Sequence, residues 1–364
     1  MTNSDPLKPG SRNAGAAALR VRVGRLDLKN PLICASGEHV MTEAGIRAAL
    51  AAGASVVVAK SINENQAARD QLAQTDYLRT GDHWERLDWA GHGGNILCRS
   101  GLQPRAADDW IRAIAALDRQ ARTQDAFVAA SVILADLEAA VVLARAIEAA
   151  GIRLLEFNVG TPYGDEATHG GVTTERAAAR IREQVSAVAA AVKIPVWVKL
   201  TGQSENVSAL AVAAREGGAA AVTMIGRMLG MLPDLNSMAP ALDTNLGYGG
   251  PWALPLTCYW LARSRKQLGA GYPLIGTNGA RGGHDVARML LAGASAVEMC
   301  SAVMTGGFGV LTAAIDELSA YLARHNTSAP AIVGRAADGV QAFAALPARA
   351  DAWRAFVPAA TLGG

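Results

Sequence analysis

The sequence predicts an α/β fold, a closed (β/α)8 TIM barrel with a short N-terminal hairpin and long loops over its carboxyl-end face. Three observations predict it. Eight short apolar runs rich in β-branched residues recur along the chain, Ala-rich stretches of helical period lie between them, and no Pro/Ser-rich linker interrupts the series. Strands alternating with helices favour parallel βαβ units, and eight of them favour closure over an open doubly wound sheet.

The elements follow in order. Met1 to Ala18 is rich in Ser, Asn, Gly, Pro and Ala and reads as a flexible tail. Val21 to Leu28 alternates apolar and polar residues around Gly24 and Arg25, the pattern of a small hairpin. The barrel strands are expected at Leu32 to Ala35, Ser55 to Lys60, Phe127 to Ile133, Leu154 to Asn158, Val196 to Leu200, Ala220 to Ile225, Pro273 to Thr277 and Ala296 to Cys300. Helical segments include Leu137 to Ala150, Thr174 to Val192, Ser208 to Glu216, Leu254 to Leu268 and His284 to Leu291. Two connections are long, Ser61 to Pro104 with its GHGG run and Arg227 to Pro251, and such lengths suit loops over the barrel mouth or packing excursions on the surface. The expected organisation is a tail at residues 1–18, the barrel at 19–325 and a C-terminal extension at 326–364 packed on or near the barrel.

A chain of 364 residues, 51% of them hydrophobic, can bury a large core without covalent staples. Cys34, Cys98, Cys258 and Cys300 are widely separated, without the clustered spacing of zinc or iron–sulfur sites, and suggest a reduced, cytoplasmic protein. A formal net charge of +2 gives no electrostatic case for nucleic acid or an acidic membrane surface. No apolar run reaches the length of a membrane span. Small molecules are the expected partners.

Chemistry gathers at the predicted strand ends. In Leu154 to Gly171 a buried run ends at Asn158 and passes into a Gly-rich loop, at the barrel end where such enzymes place their active sites. Lys60 and Lys199 end two further strands, and a lysine in a β-rich apolar run is costly to bury without a partner. Each could be a structural ion pair; with Asn158 they suggest a shared polar ligand. The turns at Ile275 to Asp285 and Met299 to Ala302 follow the last two strands, where backbone N–H groups can bind a phosphate. These features also fit a non-redox lyase or isomerase using Lys60 or Lys199 on a carbonyl substrate.

From about Val21 to Leu322 the chain resembles the flavin-dependent dihydroorotate dehydrogenase family, including the corresponding domain of dihydropyrimidine dehydrogenase. The matching pieces are KNPLICASG (29–37), AKS (59–61), EFNVGTP (156–162), VKLT (198–201), YGGP (248–251), PLIGTNG (273–279) and MCSA (299–302), in order and at matching spacing. The resemblance implies a barrel holding FMN at its carboxyl-end face. It implies that Ala35 and Ser36 lie near the flavin and Lys60 and Lys199 near its polar edge or ribityl chain, with Ser61 and Thr223 as further cofactor-binding residues. Asn158 falls beneath substrate and ring, Gly250, Gly279, Cys300 and Ser301 bind the phosphate through the backbone, and Gly276 and Asn278 are further cofactor-binding residues. Cys34, Cys98 and Cys258 are expected to be packing residues.

Departures from the family pattern bear on the substrate. Thr161 occupies the proton-acceptor position usually held by Cys or Ser, and a threonine hydroxyl is a poor base unless another group assists. His169, in the loop that follows, is a candidate for that assistance because histidine titrates near neutrality; His39 and His92 are further candidates on the same face. Tyr163 and Gly226 stand where the family has Asn, and leaving a pyrimidine's buried polar groups unpaired costs roughly 1–3 kcal/mol for each. Arg227 is a candidate for an anionic substrate group. The expected function is therefore FMN-dependent hydride transfer between flavin and a small cyclic polar substrate other than dihydroorotate, with an unidentified second electron donor or acceptor and, by family resemblance, a homo-oligomeric state. A flavin-binding protein without turnover is the other alternative.

Overall fold

The computed structural model describes residues 15–89, 91, 93–161 and 174–362. All eight expected strands form and close into one parallel barrel: Leu32–Cys34, Val56–Val58, Phe127–Ile133, Leu155–Asn158, Val196–Lys199, Ala221–Met224, Leu274–Thr277 and Ala296–Met299. Closure is made by the eighth strand on the first, with Val297 opposite Leu32 and Met299 opposite Cys34. These runs are apolar on both faces because helices cover the outside while side chains fill the inside.

The helices follow their amphipathic period. In Leu137–Ala149 the buried residues are Ala140, Leu143, Ala144 and Ile147, one stripe of a 3.6-residue helix, and Asp136 caps the start by accepting from the Ala139 amide. Leu254–Leu268 forms over the expected bounds. The segment expected to be helical from Thr174 begins only at Ala178, because the Thr174 hydroxyl donates to the Thr161 carbonyl and the Glu175 amide donates to Val159 O at 2.8 Å. These two bonds tie Thr174 and Glu175 to the chain just past the fourth strand, at Val159 and Thr161.

The hairpin pairs Val21–Val23 with Leu26–Leu28, and Gly24 takes the positive φ of 60° that a two-residue turn needs. Gly24 lies against Ala220 and Pro273, just before the sixth and seventh strands, so the hairpin covers the amino end of the barrel. Residues 15–18, read as part of the tail, are helical together with residue 19, and Leu19 is buried. At the other end of the chain, Ala329 and Ile332 are buried in the short helix Ala329–Ile332, and Asp338 accepts two bonds from Arg265 at 2.8 and 2.9 Å. Beyond this the side chains are largely exposed, Phe343 and Phe356 by 91% and 82%. No helix among the described residues is long and apolar enough to cross a membrane.

The two long connections do more than loop over the mouth. They pair with each other into a five-stranded antiparallel sheet in the order Met228–Gly230, Leu246–Gly249, Asn95–Arg99, Asp76–Thr80 and Arg86–Leu87. The central contact sets Tyr248 opposite Leu97, joining segments that lie far apart in sequence. The GHGG run has a structural part here. Arg79 is buried and donates to Gly93 O at 2.9 Å and Asp88 O at 2.5 Å, while a Cβ on Gly91 would meet its guanidinium at 2.9 Å. Glycine is needed because the loop backbone itself wraps the cation.

Asp118 ties the helix Ala107–Ala121 to the barrel. Its buried carboxylate accepts from the Val128 amide at 2.9 Å and from Arg153 at 2.8 and 2.7 Å, and Arg153 lies over the Phe127 ring. Removing one partner of such a pair strands the other, so Asp118→Ala is expected to lower the unfolding free energy by about 3 kcal/mol, read from urea titration.

Candidate active site

The carboxyl ends of the barrel strands and the inner face of the sheet above them enclose one cleft of about 1220 Å³, counting its open mouth. Ala35, Ser36, Lys60, Ser61, Asn158, Thr161, Lys199, Arg227, Asn278, Gly279, Cys300 and Ser301 all line it, so twelve residues singled out in the sequence converge on one space. Tyr77, Ile96, Ser100 and Gly249 line it from the sheet side.

The fourth strand sets the floor. Asn158 Oδ1 accepts from the Gly160 amide at 3.0 Å, which turns the chain sharply at the strand end. Gly160 packs against the next strand so closely that a Cβ would run into the Thr201 amide and the Leu200 carbonyl carbon. Thr161 then enters the cleft with its carbonyl held by Thr174.

Both strand-end lysines are ion-paired. Lys60 Nζ lies 2.9 Å from Glu38 Oε1, and the Tyr77 hydroxyl donates to the other Glu38 oxygen. Burial pushes the Glu38 carboxyl up, but Lys60, the Tyr77 hydrogen bond and Arg227 outweigh it and hold the carboxyl below its ordinary value. Lys199 Nζ lies 2.5 Å from Glu298 Oε2 and 3.4 Å from Glu156 Oε2. Burial alone would lower the lysine, yet the two acids raise it above its ordinary value, so Lys199 stays protonated and is a poor nucleophile for a carbonyl. Burial, against the pull of Lys199, pushes the Glu298 carboxyl up to about 8.

Arg227 is fixed at the sheet side of the cleft, donating to Ser100 Oγ at 3.1 Å and contacting Cys98 Sγ. Beside it, Gly226 contributes only backbone.

The turn after the seventh strand is equally braced. Asn278 adopts a φ of 69°, accepts from the Gly250 amide at 3.1 Å and donates to Gly226 O at 3.4 Å, while Thr257 donates to its carbonyl at 2.7 Å. Gly279 has a φ of 120°, and a Cβ there would approach Leu254 N to 2.6 Å. Asn278→Ala is accordingly expected to weaken FMN binding about tenfold, the loss of one or two hydrogen bonds, in a fluorescence titration of apoprotein.

Three expected residues stand off the main cleft. Gly250 lines an adjoining recess shared with Ser301. Gly276 faces Met289 and Leu261 in the helix layer. Thr223 is buried beside Lys199 in the strand register, its hydroxyl without a hydrogen-bond partner. His169 and Tyr163, like His92, lie outside the described residues. His39 packs its Nε2 3.3 Å from Cys34 Sγ, and burial lowers it to about 4, which leaves it neutral at physiological pH. Cys34 and Cys98 are buried, Cys258 is partly buried, and Cys300 lines the cleft. The sequence reading missed Glu38, Tyr77 and Glu298. An acid within the apolar strand AVEMC was the available signal for Glu298.

A barrel with a polar floor, strand-end lysines and glycine-built turns after its last strands is an enzyme scaffold for a phosphate-bearing cofactor. The chain belongs to the dihydroorotate dehydrogenase family, which it matches over residues 18–322. It is 31% identical over 294 residues to dihydroorotate dehydrogenase A (fumarate) of Limosilactobacillus reuteri, covering 78% of this chain and 87% of that protein. It is 30% identical over 314 residues to the catalytic subunit of dihydroorotate dehydrogenase B (NAD(+)) of Methanocella arvoryzae, covering 86% and 96%. The corresponding subunit of Fusobacterium nucleatum is 30% identical over 310 residues, covering 84% and 93%. The protein is a flavin-dependent oxidoreductase of this family, whose cofactor is FMN. The residues present fit that cofactor: the Gly279 turn leaves no room for a side chain, and Lys60, Lys199, Ser36 and Asn158 supply polar groups to the cleft at the barrel mouth.

Proposed function

We propose that the protein passes a hydride between FMN and a small cyclic polar substrate other than dihydroorotate. When bound, FMN supplies the hydride-accepting or hydride-donating ring. In this reading Lys199, Lys60, Ser36, Ser61 and Asn158 surround the ring and ribityl chain, and the turns at Gly250, Asn278, Gly279, Cys300 and Ser301 hold the phosphate. Thr161 stands where the substrate's proton leaves or arrives, with His169 as its candidate partner; Asn158, Tyr163 and Arg227 contact substrate.

The observation that carries the substrate assignment is the pairing of Gly226 with Arg227 at the sheet side of the cleft. A bare backbone stands there next to a fixed guanidinium, with the ion-paired Glu38 on the same cleft. The charged groups suit a substrate with ionised or strongly polar substituents, which dihydroorotate also has; what speaks against dihydroorotate is Gly226, which offers no side-chain amide to a pyrimidine ring and would leave its buried polar groups unpaired. The protonated, ion-paired Lys199 speaks against the lyase or isomerase reading. Relatives are named for fumarate and for NAD(+), and in this reading a second electron donor or acceptor completes the cycle of a homo-oligomeric, cytoplasmic enzyme.

Anaerobic stopped-flow mixing of the FMN-loaded enzyme with dihydroorotate and with a panel of reduced cyclic amides and related heterocycles tests this directly. The expected result is fast bleaching of flavin absorbance by a panel compound and slow or absent bleaching by dihydroorotate. Preferential turnover of dihydroorotate would sink the substrate assignment, and bleaching by no reductant in the panel would favour a binding protein without turnover.

A further inference from the structure

A file of hydrogen-bonding side chains runs from Ser36 on the cleft wall to an acid pair, Glu156 and Glu298, whose buried side chains lie at the floor of the same cleft. Ser36 Oγ, on the cleft wall, is 3.1 Å from Ser61 Oγ, which is 2.8 Å from Ser131 Oγ. Ser131 donates to Glu156 Oε1 at 3.1 Å, and the other Glu156 oxygen lies 3.4 Å from Lys199, which reaches Glu298 at 2.5 Å. Ser36 and Ser61 follow the ends of the first and second strands, Ser131, Glu156 and Lys199 lie on the third, fourth and fifth, and Glu298 lies on the eighth. Barrel interiors are normally filled by branched aliphatic side chains, so this polar file is a departure that packing alone does not call for.

Charge counting gives the file a purpose. The Glu156, Glu298 and Lys199 side chains are 1%, 0% and 12% exposed. Two ionised carboxylates and one ammonium leave a net charge of minus one on buried side chains, where an uncompensated charge is strongly disfavoured. One retained proton removes that charge. Glu298 Oε1 is a buried oxygen with no hydrogen-bond partner, the kind of atom that tolerates a proton better than a negative charge.

We propose that the Glu156 and Glu298 pair stores one proton at neutral pH and exchanges protons with the cleft through the hydroxyls of Ser131, Ser61 and Ser36. A proton entering at Ser36 displaces that hydroxyl's own proton to Ser61, Ser61 passes one to Ser131, and Ser131 passes one to Glu156; the reverse sequence releases it. Each hydroxyl loses one proton and gains one, and no covalent framework changes. The route complements Thr161, a weak base, and places a proton within reach when hydride transfer changes the charge of the cleft. Neighbouring groups do not supply the same proton. Cys34 and Cys300 both face the cluster, and burial pushes both thiols up, Cys300 to about 11, so both stay neutral; Glu38, Lys60 and Arg227 act on Cys300 from the cleft side. Thr223 and Thr277 add hydroxyls beside Lys199 and Glu298 in the strand register.

The exchange rests on the flavin reading; the stored proton does not, and the two are tested separately. Infrared spectroscopy of the apoprotein at pH 7 is expected to show a protonated-carboxyl C=O band, absent in both Glu298→Gln and Glu156→Gln, because each substitution leaves one carboxylate neutralised by Lys199. Absence of the band in the wild type, or its persistence in either folded variant, overturns the stored proton. In FMN-loaded protein, photoreduction is expected to shift that band, and Ser131→Ala is expected to keep the resting band while slowing its response at least tenfold. An unchanged response in Ser131→Ala overturns the exchange route and leaves both the stored proton and the flavin reading intact.

Discussion

Replacing Lys199 by alanine is expected to lower the unfolding free energy at pH 8 by about 3–5 kcal/mol, because it leaves Glu156 and Glu298 facing each other in the barrel without their cation. The deficit shrinks on acidification. In the wild type the Glu298 carboxyl stands at about 8, above the roughly 4.3 of an unfolded glutamate, so between those values the native state binds more protons than the unfolded one. Stability from this group is therefore fully present below about pH 4.3 and is lost as pH rises through about 8. Urea unfolding of wild type and Lys199→Ala at pH 5 and pH 8 reads both effects; a deficit independent of pH would show that packing, not charge, is what Lys199 contributes.

Gly160→Ala is the second large effect. The new methyl would meet the backbone of Leu200 and Thr201, which cannot swing aside as a side chain can. Overpacking of this sort costs about 3 kcal/mol, and here the strain falls on the turn that fixes Asn158 and Thr161. The expected result is a lowered melting temperature and FMN affinity weakened by more than tenfold in fluorescence titration. A variant that melts lower yet binds FMN normally would separate the turn from the cofactor site.

The barrel was legible because each of its strands is buried on both faces and so reads as a continuous apolar run, a signal contained in four to seven consecutive residues. The sheet over the mouth was not. Its strands are two to five residues long, and pairs such as Tyr248 with Leu97 are made only after the barrel has brought the two connections together. Asn158, Lys60 and Lys199 stood out for the same reason as the strands, being polar residues at the ends of apolar runs. Glu38 lies on a short 3-10 turn, and its meaning depends on Lys60 and on Tyr77, 39 residues away. Glu298 was visible as an acid in a core strand, but the lysine that explains it lies 99 residues away. Pair relations of that span leave no local pattern to read.

The sheet over the mouth bears on how substrate preference can be moved between relatives. Its central strands, Asn95–Arg99 and Leu246–Gly249, are donated by different connections and satisfy each other's backbone groups. Grafting either connection alone onto another barrel would expose an unpaired strand edge, an invitation to aggregation rather than a new specificity. The two segments form one transplantable cassette, to be exchanged together or not at all.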